Sequence, residues 1–360
     1  MPFHRLSVMR SCLPVCLLAV FLAAVAPLSA QMAPSPDAPP QGPASGPDDN
    51  VPDQPVATLK VNVNLVSLYY TVHDKHGALI PNLTKNDFTI YEDKVPQTIK
   101  NFAAEVDQPL TLGILLDTSG SQQRVLPLEQ QAGTAFLQRI LRSKDEAFLI
   151  SFDVNIDLLA DYTNNAHELE RAMNKAQINV GTGGGGIPGL GQGPLPTSNT
   201  PRGTLLYDAV YVASNDKLTP ETGRKALILL TDGEDQGSQE KIENAIEAAQ
   251  KANAIIYVIL LADRPFYGGG VFQMGYTGDM AMRKITDATG GRVIDVGDNG
   301  KKLADAFDEI EQELRTQYVA SYTPTNNKLD GSYRKIELQC KGDGLKAQVR
   351  QGYYAVPPND

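Results

Sequence analysis

Asp117, Ser119 and Ser121 set one carboxylate and two hydroxyls at alternate positions just after an unbroken apolar run, Leu112-Gly113-Ile114-Leu115-Leu116. Residues two apart in extended chain point the same way, so three hard oxygens converge on one point, an arrangement that suits a hard cation. A second stretch has the same form: Leu227-Ile228-Leu229-Leu230-Thr231 runs into Asp232, Gly233, Glu234 and Asp235. A third element, Gly203-Thr204, opens a helical stretch beside Asp208. Two carboxylates balance the charge of a divalent ion, and serine and threonine hydroxyls add neutral oxygens, so the ion stays electrophilic toward one more anionic ligand. Mg²⁺ takes six oxygens at roughly 2.0 to 2.1 Å and usually keeps waters, which leaves an exchangeable position. Mg²⁺ is therefore the expected ion, with Mn²⁺ or Ca²⁺ as alternatives. Ser119 and Ser121 also suit the simpler role of capping the helix that follows, and Asp232 that of ending a strand.

The elements that must position these residues are legible in the periodicity. A run without outward polar alternation reads as a parallel strand buried on both faces, so 112–117 is a strand. Gly120 permits a tight turn, and Leu128, Ala132, Ala135, Phe136 and Ile140 carry helical spacing over about 122–141. Further strand-like runs fall at 147–152, 226–231, 254–261 and 292–296, with helical segments near 166–175, 204–217, 239–253 and 280–289. Leu303, Phe307, Ile310 and Leu314 close the series as an amphipathic helix whose other face bears Asp308, Glu309, Glu311 and Glu313. Such alternation predicts an α/β fold, a doubly wound and mainly parallel sheet with helices on both faces. Ligands of such sheets bind at the carboxyl ends of the strands, where all three polar elements fall.

The flanks have a different character. Leu59, Val61, Val63 and Leu65 alternate with polar residues, and the phase then flips to Val66, Leu68, Tyr70 and Val72, which predicts a bulge or break near Leu65. Asp74-Lys75-His76-Gly77 is a turn, 88–91 and 98–102 are short strands, and Glu92-Asp93-Lys94 turns between them. At the other end Ile336, Leu338 and Cys340 alternate, Gly342-Asp343-Gly344 turns, and Leu345, Ala347 and Val349 alternate again, which reads as a hairpin. Neither β segment is large enough to stand alone. The expected architecture is one small β-sandwich built from both ends of the chain, with the α/β domain inserted between and Cys340 pointing into the sandwich core.

Taken together, Asp117-Thr118-Ser119-Gly120-Ser121, Gly203-Thr204 and Asp232 make the stretch from about 106 to 315 resemble the von Willebrand factor A domain with its metal-ion-dependent adhesion site. A lone Asp-x-Ser-x-Ser would be weak; here three separated elements agree in type, order and strand context. The matching metal positions are Asp117, Ser119, Ser121, Thr204 and Asp232. With its β flanks, the whole arrangement is similar to the exported bacterial family of VWFA-related acidobacterial domain proteins. The resemblance implies a Rossmann-like α/β fold and a protein partner whose Asp or Glu carboxylate completes the coordination of the cation. It thus implies an adhesion or protein-binding module; the alternative is a scaffold of the cell envelope in which the ion only ties the loops together.

Composition bounds the rest. With 360 residues and 42% apolar content the chain can bury one large core and one small one. His4, Arg5 and Arg10 precede an apolar run from Leu13 to Leu28 and then Ser29-Ala30, the pattern of a secretory signal over 1–30. The expected location is thus secreted, periplasmic or at the cell envelope, with no integral membrane domain after cleavage. The two arginines leave with the signal, taking the net charge from −10 to −12, and no basic face is left to displace counterions from nucleic acid. Cys12 and Cys16 leave as well, so Cys340 stands alone and no internal disulfide forms. Residues 31–56, rich in Pro, Ala, Gly, Ser and Asp, read as a flexible linker. The domains expected are then 57–105 and 316–356 for the sandwich and 106–315 for the α/β insertion. Two unusual loops border the site edge: glycine-dense 181–193, running into 194–201, and 267–276, which mixes aromatics with glycine. The first has no Lys-Ser/Thr after its glycines and is not a phosphate loop. A serine hydrolase needs a base near Ser119, and the mature histidines His73, His76 and His167 fall elsewhere and form no zinc pattern, so no enzymatic activity is expected.

Overall fold

Strand β1 (Val66–His73) buries Val66, Leu68, Tyr70 and Val72 at alternate positions, the signature of a sheet with one covered face. This computed structural model describes residues 64–104, 108–178, 203–261 and 278–357. The expected signal, the linker, the flip of phase before Leu65 and the loops 181–193 and 267–276 lie wholly or largely outside the described residues. After β1 come β2 (Phe88–Glu92), β3 (Val95–Gln97) and β4 (Ile99–Ala104). Asp93 and Lys94, with φ of 47° and 69°, form the two-residue turn between β2 and β3, the primed geometry whose twist matches that of the strands. Pro96 is tolerated in β3 because that strand is a sheet edge.

The α/β part then begins with β5 (Leu110–Asp117), buried along its whole length, followed by α1 (Leu126–Ile140), β6 (Glu146–Phe152), β7 (Ile156–Thr163) and α2 (Ala166–Met173). It continues with α3 (Leu206–Val212), β8 (Arg224–Thr231), α4 (Ile242–Lys251), β9 (Ala254–Leu260), α5 (Gly278–Thr289), β10 (Val293–Asp295) and α6 (Gly300–Arg315). The last strands are β11 (Tyr318–Tyr322), β12 (Tyr333–Cys340), β13 (Lys346–Gln348) and β14 (Gly352–Tyr354).

The large sheet has the order β10-β9-β8-β5-β6-β7, parallel throughout except for β7, which runs antiparallel along β6 at one edge. One face is covered by α1, α2 and α6 through Phe136, Leu169, Phe307 and Ile310. The other is covered by α3, α4 and α5 through Leu206, Val210, Ala249 and Ile285. From β5 the chain steps one way to β6, and later resumes on the opposite side at β8. The order therefore reverses between β5 and β8, and the crevice beyond the carboxyl ends of those two strands is where sheets of this kind take ligands.

Two four-stranded antiparallel sheets, β13-β1-β11-β4 and β14-β12-β2-β3, draw their strands from both ends of the described chain. Tyr70, Phe88, Ile90, Tyr318, Tyr322 and Ile336 gather in one cluster between them, with the rings of Tyr70 and Phe88 5.1 Å apart and edge-on.

Several expectations needed correction. The hairpin read over 336–349 is not one: β12 pairs with β2 and β14, whereas β13 pairs with β1. Gly342 and Gly344, at φ 135° and 77°, carry the chain from one sheet to the other instead of folding it back. Likewise β2 pairs with β3, and β4 crosses to the other sheet. Cys340 packs against this cluster as expected but is only half-buried, and desolvation raises its thiol above the usual value. The helix read from 122 begins at Leu126, because Gly120–Gln122 form a 3-10 turn and Pro127 fits the first turn of a helix. The helix read from 204 begins at Leu206, leaving Thr204 in the preceding segment, and runs into a π-helical turn at Ala213–Leu218. Strand β7 went unread because its exposed residues, Asp157 and Leu158 among them, follow no two-residue alternation.

Candidate metal centre

Asp117 is the last residue of β5 and is fully buried. Its Oδ1 accepts from the Ser119 backbone N–H at 3.0 Å, which turns the chain just past the strand. Its Oδ2 accepts from the Thr231 hydroxyl at 2.6 Å, so the end of β8 grips the end of β5. Thr231 Oγ1 in turn accepts from the Gly233 N–H at 3.0 Å. Ser119 Oγ and Ser121 Oγ lie 3.0 Å apart, brought together by the 3-10 turn at Gly120–Gln122 and not by the extended chain that their two-residue spacing predicts. Thr118 faces the other way, its hydroxyl donating to Asp153 Oδ2 at 3.1 Å and its N–H to the Phe152 carbonyl at 2.9 Å.

Asp232 follows β8 directly and is 2% exposed, and its Oδ1 accepts from the Glu234 N–H at 3.1 Å. Burial foremost, and then the charge of Asp232, hold the Asp117 carboxyl well above the usual carboxylate range, against the opposing pull of its bonds to Ser119 and Thr231. Two buried carboxylates in one electrostatic field are a costly arrangement that a cation relieves.

Thr204 is positioned through its backbone. Its N–H donates to the Gln236 carbonyl at 3.3 Å, Gln236 N–H returns a bond at 3.0 Å, and Leu205 N–H donates to the Asp153 carbonyl at 2.8 Å. A Cβ on Gly203 would stand 2.5 Å from the Gln236 carbonyl oxygen, so only glycine lets the two segments approach. Thr204 is thereby held between the residues after β6 and those after β8, at the edge that carries Asp117 and Asp232.

The remaining acids of the region serve the loops. Asp235 Oδ1 accepts from the Tyr207 N–H at 3.2 Å and from Ser238 Oγ at 2.5 Å. Asp208 accepts from the N–H groups of Gln239 and Glu240 at 3.0 and 2.7 Å. Glu234 Oε1 accepts from the Gly278 N–H at 3.2 Å, tying the loop to the start of α5. Direct bonds thus join Asp117, Ser119 and Ser121, charge links Asp117 with Asp232, and backbone pairing brings Thr204 to the same edge. The residue missed in the sequence is Thr231, whose one signal was a hydroxyl at the last position of an otherwise apolar strand.

No known family description matches this chain, and no curated protein does. Among solved structures, this chain is similar to the conserved hypothetical protein BatB from Bacteroides thetaiotaomicron, at 18% identity over 57% of this chain and 100% of that one, with a TM-score of 0.41. It is also similar to the vWF domain of the type V pili tip protein Mfa5 from Porphyromonas gingivalis, at 13% identity over 58% and 96% of the two chains, with a TM-score of 0.41. A third is proximal thread matrix protein 1 from the mussel byssus with zinc occupied MIDAS motif, at 15% identity and a TM-score of 0.43. The match covers 62% of this chain and about half, 49%, of that protein.

Among the described residues no three His, Cys, Asp or Glu side chains gather as a metal cluster. The donor set at this edge is of another kind, two carboxylates and three hydroxyls, all hard oxygens. It fits a hard divalent cation, because the carboxylates balance the charge and the hydroxyls add ligands without more charge.

Proposed function

We propose that this chain is an exported, metal-dependent protein-binding module of the von Willebrand A type. The α/β segment, about 106–315, would be a domain inserted in a small β-sandwich formed by 57–105 and 316–356. Asp117, Ser119, Ser121, Thr204 and Asp232 would hold one divalent cation, Mg²⁺ in the first instance with Mn²⁺ or Ca²⁺ as alternatives. When bound, the cation supplies an electrophilic position for one anionic ligand, and a carboxylate from an Asp or Glu of a partner protein is the ligand proposed. The observation that carries this reading is the pairing of Asp117 with Thr231 at the switch point of the sheet, with Ser119 and Ser121 in contact beside it.

A non-enzymatic role is supported by where the histidines lie. His73 contacts Thr71 Oγ1 and the Gly77 carbonyl at the end of β1, and His167 stands at the start of α2, whereas Ser119 Oγ meets Ser121. A general base for a serine nucleophile has to sit within hydrogen-bond reach of it. Export is proposed from the signal pattern over 1–30. Among the described residues no helix is long and apolar enough to cross a membrane.

The test is calorimetric titration of Mg²⁺ and Mn²⁺ into the metal-stripped protein and its Asp117→Ala and Asp232→Ala variants. Saturable binding that both variants lose is the expected result. A folded wild type that binds neither ion would remove the adhesion mechanism and leave the scaffold role.

A further inference from the structure

Glu129 has no role in the site as described, yet its surroundings point to the site. It lies in the first turn of α1, one turn beyond the 3-10 turn that carries Ser121, and it is fully buried. Neither of its carboxylate oxygens has a hydrogen-bond partner. Gln122, also fully buried, has an unpartnered Oε1, while its Nε2 donates to the Leu261 carbonyl at 3.4 Å. Three acceptor atoms, on residues seven apart in the chain, are therefore buried without donors, and such atoms are costly enough that native proteins rarely leave them so. Burial holds the Glu129 carboxyl well above its ordinary value, and the two charges that add to the effect are those of Asp117 and Asp232.

An apolar side chain at position 129 would fill the same place at no such cost, so the carboxylate calls for a donor. The three carboxylates do not gather closely enough to hold an ion directly between them. A six-coordinate ion takes at most one oxygen from each of four or five of the named side chains when each binds through one atom, and water fills what is left. Water on a divalent cation is a strengthened donor and needs acceptors around it, and such outer partners orient and tighten metal sites.

We propose that Glu129 is the outer carboxylate of this centre, accepting hydrogen bonds from cation-bound water behind Asp117 and Asp232, with Gln122 Oε1 as a companion acceptor. This rests on the reading of the site as a metal centre. Glu129 is then a positioning residue that touches the ion through water, and it sets how tightly the five inner side chains hold it.

Glu129→Gln keeps the shape and removes the charge, and Glu129→Met keeps the length and removes every polar atom. Each is titrated with Mg²⁺ and Mn²⁺ beside wild type and Asp117→Ala, and melted with and without ion. Both variants are expected to bind the ion roughly 10- to 100-fold more weakly. Without ion they are expected to melt no lower than wild type, because an unpaired buried carboxyl has been removed, and the rise in Tm on adding ion shrinks in step with affinity. Unchanged affinity in both variants, with binding still lost in Asp117→Ala, overturns the role of Glu129 and leaves the metal site standing. Failure of both variants to fold overturns it too, since the proposal gives Glu129 no part in the ion-free fold. If wild type itself binds no ion, the site reading fails and this inference goes with it.

Discussion

At the scale of single residues, the geometry of Asp117 depends on who holds each of its oxygens. Ser119 N–H takes Oδ1 and the Thr231 hydroxyl takes Oδ2, which leaves the carboxylate one orientation in a buried setting. A carboxylate held in this way meets a cation already aligned, whereas a loose one has first to be ordered. Valine matches threonine in shape and lacks the hydroxyl, so Thr231→Val releases Oδ2 and also removes the acceptor for the Gly233 N–H. A hydrogen bond to a charged group contributes about 1.5 to 3 kcal/mol. Thr231→Val is therefore expected to weaken Mg²⁺ binding at least about tenfold in calorimetry while the circular dichroism stays that of wild type. Unaltered affinity would mean that the strand alone orients Asp117.

At the scale of elements, β5 has to lie close between β6 and β8 for the two acids to face one crevice. Gly113 sits opposite Phe148 on one side and Leu227 on the other. A Cβ at that position would stand 2.4 Å from Phe148 Cζ and 2.5 Å from Leu227 Cδ2. The glycine in mid-strand thus makes room for two large neighbours, and its lack of a side chain is offset by their packing. Gly113→Ala is expected to lower stability by about 1 to 3 kcal/mol through overpacking, read as a lower urea midpoint. Because Asp117 lies four residues along the same strand, on the same face, its metal affinity should fall as well. Helix α1 is fixed from behind by the stacked rings of Phe136 and Phe307, 4.7 Å apart, which dock it on α6 and so hold the turn that carries Ser119 and Ser121.

At the scale of the whole molecule, the segment between β13 and β14 laces the antiparallel sheets to the helices of the large one. Arg350 is buried there; its Nη2 donates to the Ser67 carbonyl of β1 at 3.2 Å and its Nη1 to the Gln250 carbonyl of α4 at 3.5 Å. Its guanidinium lies 5.5 Å from the centre of the Tyr353 ring, and burial lowers its pKa to about 10. Beside it, Gln351 N–H donates to the Ala288 carbonyl at 3.1 Å, and Gln348 Nε2 to the Gly290 carbonyl at 3.2 Å. The described residues belong to one compact unit. Arg350→Met removes the bond to the carbonyl of half-buried Ser67 and leaves the Gln250 carbonyl its backbone donor from Asn253, and is expected to cost about 1 to 2 kcal/mol. The loss should appear at the same midpoint in the near-ultraviolet signal of the tyrosine-rich antiparallel core and in the far-ultraviolet signal of the helices. Separate midpoints in the variant would show that the two parts melt independently once this tie is cut.

Much of this was legible along the chain. The runs that became β5, β8 and β9 are apolar without alternation because both of their faces are covered, and that pattern is local enough to read directly. Asp117 and Asp232 could be placed at one edge because parallel strands all end on the same side. The two-residue repeat of extended chain pairs the hydroxyls of Ser119 and Ser121, and they do meet, but through the 3-10 turn at Gly120–Gln122, which that repeat does not foresee. Tertiary structure alone decided which strands are neighbours: the turn at Gly342 looks the same whether the next strand folds back or crosses to another sheet, and only packing on the shared core selects β1 as the partner of β13. It also decided the meaning of Thr231 and Glu129, since a hydroxyl at a strand end and an acid in a helix acquire a role only from what long-range packing sets against them.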